Sequence, residues 1–387
     1  MKRPIYLDYH ATTPVDPRVV ESMLPFFTED FGNASSRNHA WGWTAAAAVD
    51  EARAQVARII GANARDIVFT SGATESNNLA IIGSVRAAQP DRRHVITVTT
   101  EHPSVLDTCR ALEHDGCTVA YVPVASDGRV DPDSIARAFT NQTCLVSVMA
   151  ANNEIGVLHP LPAIGELVRE RDALFHVDAS QAVGKVPFDV ETVRADLVSF
   201  TAHKIYGPKG IGALYVRKRS KRPALQPLLH GGGHERGLRP GTLNVPGIVG
   251  FGRAAALCMA EHPAESTRIG HLRDALLDRL QIRLPTVHVN GSLEHRLPGN
   301  LNVAFPGIEP EPLKLAIDDL AVSFGAACTT GTTEPSHVLA AVGMPRELAL
   351  ASVRFGLGRW TTAEEVEYAA DRMATIIGGL ARVAARG

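Results

Sequence analysis

A lysine that follows an apolar run and enters a glycine–proline turn is the most chemically suggestive position in this chain. In Ser199-Phe-Thr-Ala-His-Lys-Ile-Tyr-Gly-Pro-Lys-Gly210 a strand-like segment delivers His203 and Lys204 to such a turn. A lysine held there in a partly desolvated pocket loses basicity and becomes a nucleophile suited to Schiff-base chemistry. Alone it would read as a surface lysine after a strand. Three other strand ends carry matching parts. Phe175-His-Val-Asp-Ala-Ser-Gln-Ala182 puts Asp178 at a strand end and Gln181 one turn later. A carboxylate there can hold a pyridinium nitrogen, as a pyridoxal phosphate enzyme requires. A plain helix N-cap is the competing reading. Thr70-Ser-Gly-Ala-Thr-Glu-Ser76 reads as strand, glycine turn and helix start. Backbone N–H groups at a helix N-terminus cradle phosphate, and Thr74 adds a hydroxyl. In Thr100-Glu-His-Pro-Ser104, His102 sits where an imidazole could stack on a flat cofactor.

The elements that must position these residues can be read from periodicity. Strands are expected at 66–71, 94–100, 118–124, 144–150, 174–178, 197–201 and 211–216. Helical patterns lie between most of them. Residues 44–60 place Val49, Ala52, Val56, Ile59 and Ile60 on one face, and 77–88, 104–114 and 163–171 behave similarly. This alternation predicts an α/β fold with a mainly parallel seven-stranded sheet, whose ligands sit at the carboxyl ends of the strands. The character changes near residue 225. A Gly- and Pro-rich stretch at 229–246 reads as a long ordered loop, followed by a helix from about 248. Short strands at 287–290, 300–305 and 351–356, a helix at 312–320 and an amphipathic helix at 363–385 predict a smaller α+β domain. The expected division is 15–250 for the large domain, with 1–14 and 251–387 forming the small one.

Composition excludes several classes. The chain has 387 residues, with 39 Lys+Arg against 41 Asp+Glu, a net charge of −2. That is neither a basic nucleic-acid binder nor an acidic tail. Five cysteines, none in C-x-x-C spacing, do not form a disulfide framework or a zinc ribbon. They suit a reducing compartment, and no signal-peptide pattern or membrane span is found. A cytoplasmic location is therefore expected, and no metal site. No G-x-G-x-x-G, P-loop, H-E-x-x-H or G-x-S-x-G occurs.

Read together, TSGATESNNLAI, EHPSVL, NNEIG, HVDASQAVGK, SFTAHKIYGPKG, GGGHERGLRPGTLNV and GAACTT occur in that order. The set resembles the cysteine desulfurases, pyridoxal phosphate enzymes of fold type I within the class V aminotransferase superfamily. The likeness runs from about Tyr6 to Thr362, and YLDYHATTPVDPRV also fits it. It implies that Lys204 holds the cofactor covalently and moves the substrate Cα proton. His102 would stack on the ring, Asp178 would hold its nitrogen, and Gln181 would bond its phenolic oxygen. Ala73, Thr74, Thr201 and His203 would bind the phosphate. Thr242 would reach the phosphate of a neighbouring subunit, which implies a homodimer. Asn153 and Arg354 would hold the carboxylate of L-cysteine.

Cys328 separates sulfur chemistry from amino transfer. It lies in the small, polar run Phe324-Gly-Ala-Ala-Cys-Thr-Thr-Gly-Thr-Thr333, which reads as a mobile loop. The other four cysteines fall in helix- or strand-like segments, where buried inert thiols are expected. Cys328 matches the family's persulfide-forming cysteine, and Glu334-Pro335-Ser336-His337 follows it as in the longer-loop group I branch. The implied reaction converts L-cysteine to L-alanine and passes the sulfur to an acceptor protein, with nucleic acid not required. A selenocysteine lyase, another class V enzyme, or a subunit active only with a partner are the alternatives. His10, where relatives often have a small polar residue, and the Ala326–Ala327 pair depart from the family pattern. The chain stops at Gly387 just after its last helix, which puts docking to an iron–sulfur scaffold in doubt. A basic cluster of Arg217, Lys218, Arg219, Lys221 and Arg222 could face tRNA or an acidic acceptor, although a solvated loop is the plainer reading.

Overall fold

The computed structural model describes residues 3–218, 225–325 and 334–384. Cys328 and most of the 217–222 basic cluster lie outside the described residues. Strands run in chain order β1 (Ile5–Tyr6), β2 (Ile67–Thr70), β3 (His94–Val98), β4 (Thr118–Val122), β5 (Thr143–Ser147), β6 (Leu174–Asp178), β7 (Leu197–Thr201), β8 (Gly212–Val216), β9 (His288–Val289), β10 (Asn300–Ala304), β11 (Leu320–Ala321), β12 (Ser323–Phe324) and β13 (Ser352–Gly356).

The large sheet has seven strands in the order β2-β8-β7-β6-β5-β3-β4. All run the same way except β8, which is antiparallel to both neighbours. Every residue of β2, β3, β5, β7 and β8 is buried. Strands covered on both faces need continuous apolar runs rather than alternation, which is why they were legible as runs. Gly212 is needed where β8 begins, because a Cβ there would lie 2.6 Å from Gly72 Cα. That close approach seats the Gly72 turn on the sheet.

Helix boundaries move where caps set them. The helix expected at 44–60 spans Ala40–Arg58, since the His39 side chain accepts the Gly42 N–H. The 229–246 stretch holds a short 3-10 turn at Glu235–Gly237, pinned by Arg53, which meets Glu235 at 2.6 Å. Arg217 is a correction to the basic-cluster reading. It is buried, paired with Glu191 and bonded to the carbonyls of Ala195 and Val190.

One helix, Val245–Arg283, joins the two halves of the molecule. Its first part contributes Val245, Ile248, Phe251 and Cys258 to the core under the large sheet. Its second part contributes Ile269, Leu276, Leu277 and Leu280 to a separate core. That second core lies under the β12-β13-β10-β9 antiparallel sheet and the Ala363–Ala384 helix. The cores therefore change over between Cys258 and Ile269, around Pro263, inside a continuous helix. The N-terminal segment also crosses: Leu7 belongs to the second core and Tyr9 to the first. No helix among the described residues is long and apolar enough to cross a membrane.

Candidate active site

The carboxyl ends of β2, β3, β5, β6 and β7 open into one cleft of about 690 Å³. Ala73, Thr74, His102, Asn153, Asp178, Gln181, Thr201, His203, Lys204 and Arg354 all line it. Thr242 does not; it is exposed on the loop before the Val245–Arg283 helix.

Lys204 ends a 3-10 turn, Ala202–Lys204, that follows β7 directly. Tyr206 then takes a left-handed backbone, φ 65°, and its N–H is held by Thr13 Oγ1 at 2.9 Å. Strain of this kind persists only where the surroundings enforce it. Here the N-terminal segment does so, since Thr13 also bonds the His203 carbonyl. Lys204 Nζ donates to the carbonyls of His10 and Ala11 at 2.5 and 2.7 Å. Burial and the neighbouring Arg354 bring its pKa down to about 8.

Asp178, at the end of β6, is held by its surroundings. Asn77 Nδ2 donates to its Oδ2 at 2.8 Å, while the Ser180 N–H and hydroxyl donate to Oδ1 at 2.9 and 2.5 Å. Asn77 Nδ2 also donates to Ser104 Oγ at 2.9 Å. Ser104 Oγ lies 2.8 Å from His102 Nδ1, and the Ser104 N–H donates to the same nitrogen at 3.1 Å. His102 Nδ1 is thus an acceptor, so the neutral ring carries its proton on Nε2. Asn77 and Ser104 form a chain from Asp178 to His102 that nothing in the sequence pattern marks. Asn77 sits within a helix that reads as ordinary, and only the packing of that helix on the sheet brings it to Asp178.

The helix Ala73–Ala87 starts at Gly72 with no side-chain cap. Its first residues, Ala73, Thr74 and Glu75, line the cleft. Thr201 Oγ1 gives its proton to the Ile211 carbonyl at 3.1 Å. His203 Nδ1 lies 3.1 Å from Thr12 Oγ1, and burial with Lys204 nearby brings its pKa down to about 4. Arg354, on β13, is the smaller sheet's contribution among the described residues. Its Nη2 bonds Asp8 and Ser323, each at 2.7 Å, and Nη1 bonds the Asn153 carbonyl at 2.7 Å. Its Nε is buried with no partner among the described residues. Asp8 is a second residue whose role only the structure reveals.

The segment that carries Cys328 leaves from Gly325 and returns at Ser336, whose N–H bonds the Gly325 carbonyl at 2.8 Å. Ser336 also bonds Glu154, and His337 Nε2 bonds the Glu101 carbonyl at 2.9 Å. The described ends of that segment are therefore fixed beside the strand end that carries His102. The four described cysteines, Cys109, Cys117, Cys144 and Cys258, are buried, and burial pushes their thiols up.

A strand-end cleft with a depressed lysine, a braced carboxylate and an uncapped helix start defines a class of enzyme that anchors an aromatic phosphate cofactor. The chain belongs to the Aminotransferase class-V family, whose profile matches residues 5–369. Within it the chain falls among the cysteine desulfurases. It is 56% identical over 369 residues to cysteine desulfurase IscS of Anaeromyxobacter dehalogenans (strain 2CP-C), covering 95% of this chain and 91% of that protein. It is 53% identical over 366 residues to cysteine desulfurase IscS of Rickettsia bellii (strain OSU 85-389), covering 95% and 89%. Among solved structures, a NifS-like protein superposes with a TM-score of 0.90 at 38% identity, over 97% of this chain and all of that one (100%). A structure described as SspA in complex with cysteine superposes with a TM-score of 0.83 at 36% identity, over 92% and 100%.

The cofactor of this family is pyridoxal 5′-phosphate, and the residues present fit it. The cleft offers an amine able to lose its proton near neutrality, an anion for a ring nitrogen, and a helix N-terminus whose cap leaves its N–H groups free. These three needs are chemically distinct, and each is met at a different strand end.

Proposed function

We propose that this cleft converts L-cysteine to L-alanine, with the sulfur leaving as a persulfide on Cys328. The observation that carries the reading is the convergence of Lys204, Asp178 and Arg354 on one cleft. When bound, pyridoxal phosphate supplies an electron sink that weakens the bonds at the substrate Cα. Lys204 would hold it through Nζ and would take the substrate Cα proton. Asp178, braced by Asn77 and Ser180, keeps a negative charge at the ring nitrogen. Ala73, Thr74, Thr201 and His203 surround the phosphate, and Gln181 meets the phenolic oxygen. His102 stacks on the ring, its orientation set by Ser104. Arg354 keeps a second Nη1 N–H and its positive charge for the substrate carboxylate, beside Asn153, while Asp8 and Ser323 hold Nη2.

The Cys328 thiolate attacks the substrate sulfur. An S–S bond forms, the substrate C–S bond breaks, and its electron pair stays with the carbon, which takes a proton, balancing the one Cys328 lost as a thiolate, to become the alanine methyl. The sulfur balance is complete: one thiol gains one sulfur atom, and cysteine loses it. An acceptor protein then takes the persulfide sulfur.

The protein works as a homodimer in the cytoplasm. Leu24, Phe27, Phe31, Trp41 and Trp43, on the N-terminal helices and the segments between them, are exposed, and exposed large apolar side chains grouped in one stretch of chain suit an interface between copies. Thr242, exposed and outside this cleft, would serve a second copy's site. Four thiols without disulfide partners suit a reducing compartment. Alanine release from L-cysteine by the purified protein tests the reading. Release that is lost in Lys204→Ala supports it, and release unchanged in that variant overturns it.

A further inference from the structure

Gln181 is held by more than its own backbone. Its Oε1 accepts from Lys185 Nζ at 2.7 Å and lies 3.2 Å from His10 Nδ1, while its Nε2 donates to the His10 carbonyl at 2.9 Å. An amide has a donor end and an acceptor end, and its partners decide which is which. A lysine ammonium has only donors, so a charged Lys185 fixes Oε1 as the acceptor end. His10 Nδ1 must then carry the ring's proton, and the His10 carbonyl fixes the other end as the donor. His10 Nε2 is left as a bare acceptor, buried and without a partner among the described residues. It borders a small cavity of about 40 Å³ that Lys185, His262 and Glu265 also line. That is room for about two or three waters. One such water, donating to Nε2, would hold the His10 tautomer that the amide requires.

We propose that Lys185, with His10, is a positioning residue that locks the Gln181 amide so that its N–H, and not its oxygen, faces the cofactor. This rests on the reading that Gln181 meets the phenolic oxygen. The chain has committed two side chains and a backbone carbonyl to one amide, and neither side chain lies at a strand end. Lys185 reaches it from four residues on, and His10 from the far end of the chain. Were the amide reversed, Oε1 would meet a negatively charged oxygen and Nε2 would meet an ammonium, so both contacts would become repulsive. Lys204, Arg354 and Cys258 also face Lys185, from the turn after β7, from β13 and from the long helix. Burial and the charges of Lys204 and Arg354 press the Lys185 ammonium toward its neutral amine; that amine still donates to Oε1, and the His10 carbonyl, which only accepts, keeps Nε2 the donor end in either protonation state.

A donor on the phenolic oxygen draws charge from it and weakens its hold on the neighbouring proton. Losing that donor moves the pH at which the bound cofactor's visible absorption changes upward, by about one unit for one hydrogen bond to a charged group. The experiment compares the pyridoxal phosphate-loaded wild type with Lys185→Met, Lys185→Gln and Gln181→Leu by absorbance across pH. The expected result is an upward shift in Lys185→Met that approaches that of Gln181→Leu, with Lys185→Gln, a neutral donor of similar reach, close to wild type. If Gln181→Leu shifts and Lys185→Met does not, the positioning role is overturned while the Gln181 contact stands. If Lys185→Gln shifts as far as Lys185→Met, charge and not amide orientation is responsible, and the proposal fails. If neither Gln181→Leu nor Lys185→Met shifts, the Gln181 contact itself is wrong and the proposal falls with it. Should Lys185→Met not fold, His10→Ala removes the other donor. A smaller upward shift is then expected, and no shift overturns the lock.

Discussion

Replacing Asn77 with alanine tests whether the buried chain from Asp178 to His102 serves the cofactor or merely the fold. Asn77 is fully buried, and its Nδ2 supplies hydrogen bonds to Asp178 and Ser104 at 2.8 and 2.9 Å. A hydrogen bond to a charged group contributes about 1.5–3 kcal/mol. For 387 residues, an unfolding entropy near 2.1 cal/mol/K per residue gives about 0.8 kcal/mol per degree. The cofactor-free Asn77→Ala protein should therefore melt about 2–4 °C lower. Asp178 keeps its bonds to Ser180, so only part of the loss appears in cofactor binding. Half of it, about 1 kcal/mol, weakens the Kd for pyridoxal phosphate about fivefold. Ser104→Ala cuts the branch to His102 but spares the Asp178 contact, and its Kd should change less. Calorimetric melts and absorbance titration with pyridoxal phosphate read both quantities. A lower melting temperature with an unchanged Kd would show Asn77 to be a packing residue and refute the link to Asp178.

Three further outcomes follow from the same geometry. The Lys204 amine titrates near 8 in the cofactor-free protein, well under the ordinary lysine value of about 10.4. Because the neutral amine is the nucleophile, cofactor attachment followed by stopped-flow absorbance should quicken as pH rises to about 8 and level off above it. A rate still climbing past pH 10 would mean an ordinary lysine. Arg354→Leu removes the charged fork facing the substrate carboxylate, so kcat/KM for L-cysteine should fall about 10- to 100-fold, mainly through KM, with the cofactor's absorbance kept; an unchanged KM would contradict the assignment. Arg53→Met strands the Glu235 carboxylate, whose side chain is 2% exposed. Breaking a buried pair costs about 3–5 kcal/mol, or about 4–6 °C on the scale above, and an unshifted melt would count against that anchor.

The strand ends were legible because their chemistry is local. His203 and Lys204, Asp178, His102 and the Ser71–Thr74 turn each follow a run of buried β-forming residues, and parallel strands bring such ends together. Arg354 joined the same cleft from the smaller sheet, on a strand the sequence also marked. What stayed hidden are contacts between distant elements. Asp8 meets Arg354 across 346 residues of chain, and Asn77 meets Asp178 across 101. Neither separation leaves a periodic trace. Arg217 misled for a related reason: within a run of basic residues it reads as solvated, yet the carbonyls of Val190 and Ala195 and the carboxylate of Glu191 enclose it. The division of the two cores inside the Val245–Arg283 helix was equally invisible, because the helical pattern continues unbroken past residue 250 while the partner surface changes.

The most direct test of the account is the intact mass of the pyridoxal phosphate-loaded protein after incubation with L-cysteine, beside a Cys328→Ser control. A gain of one sulfur atom on the wild type alone, reversed by reductant and matched by alanine release, is the expected result. No gain on the wild type, with cofactor bound and alanine still released, would contradict sulfur transfer through Cys328.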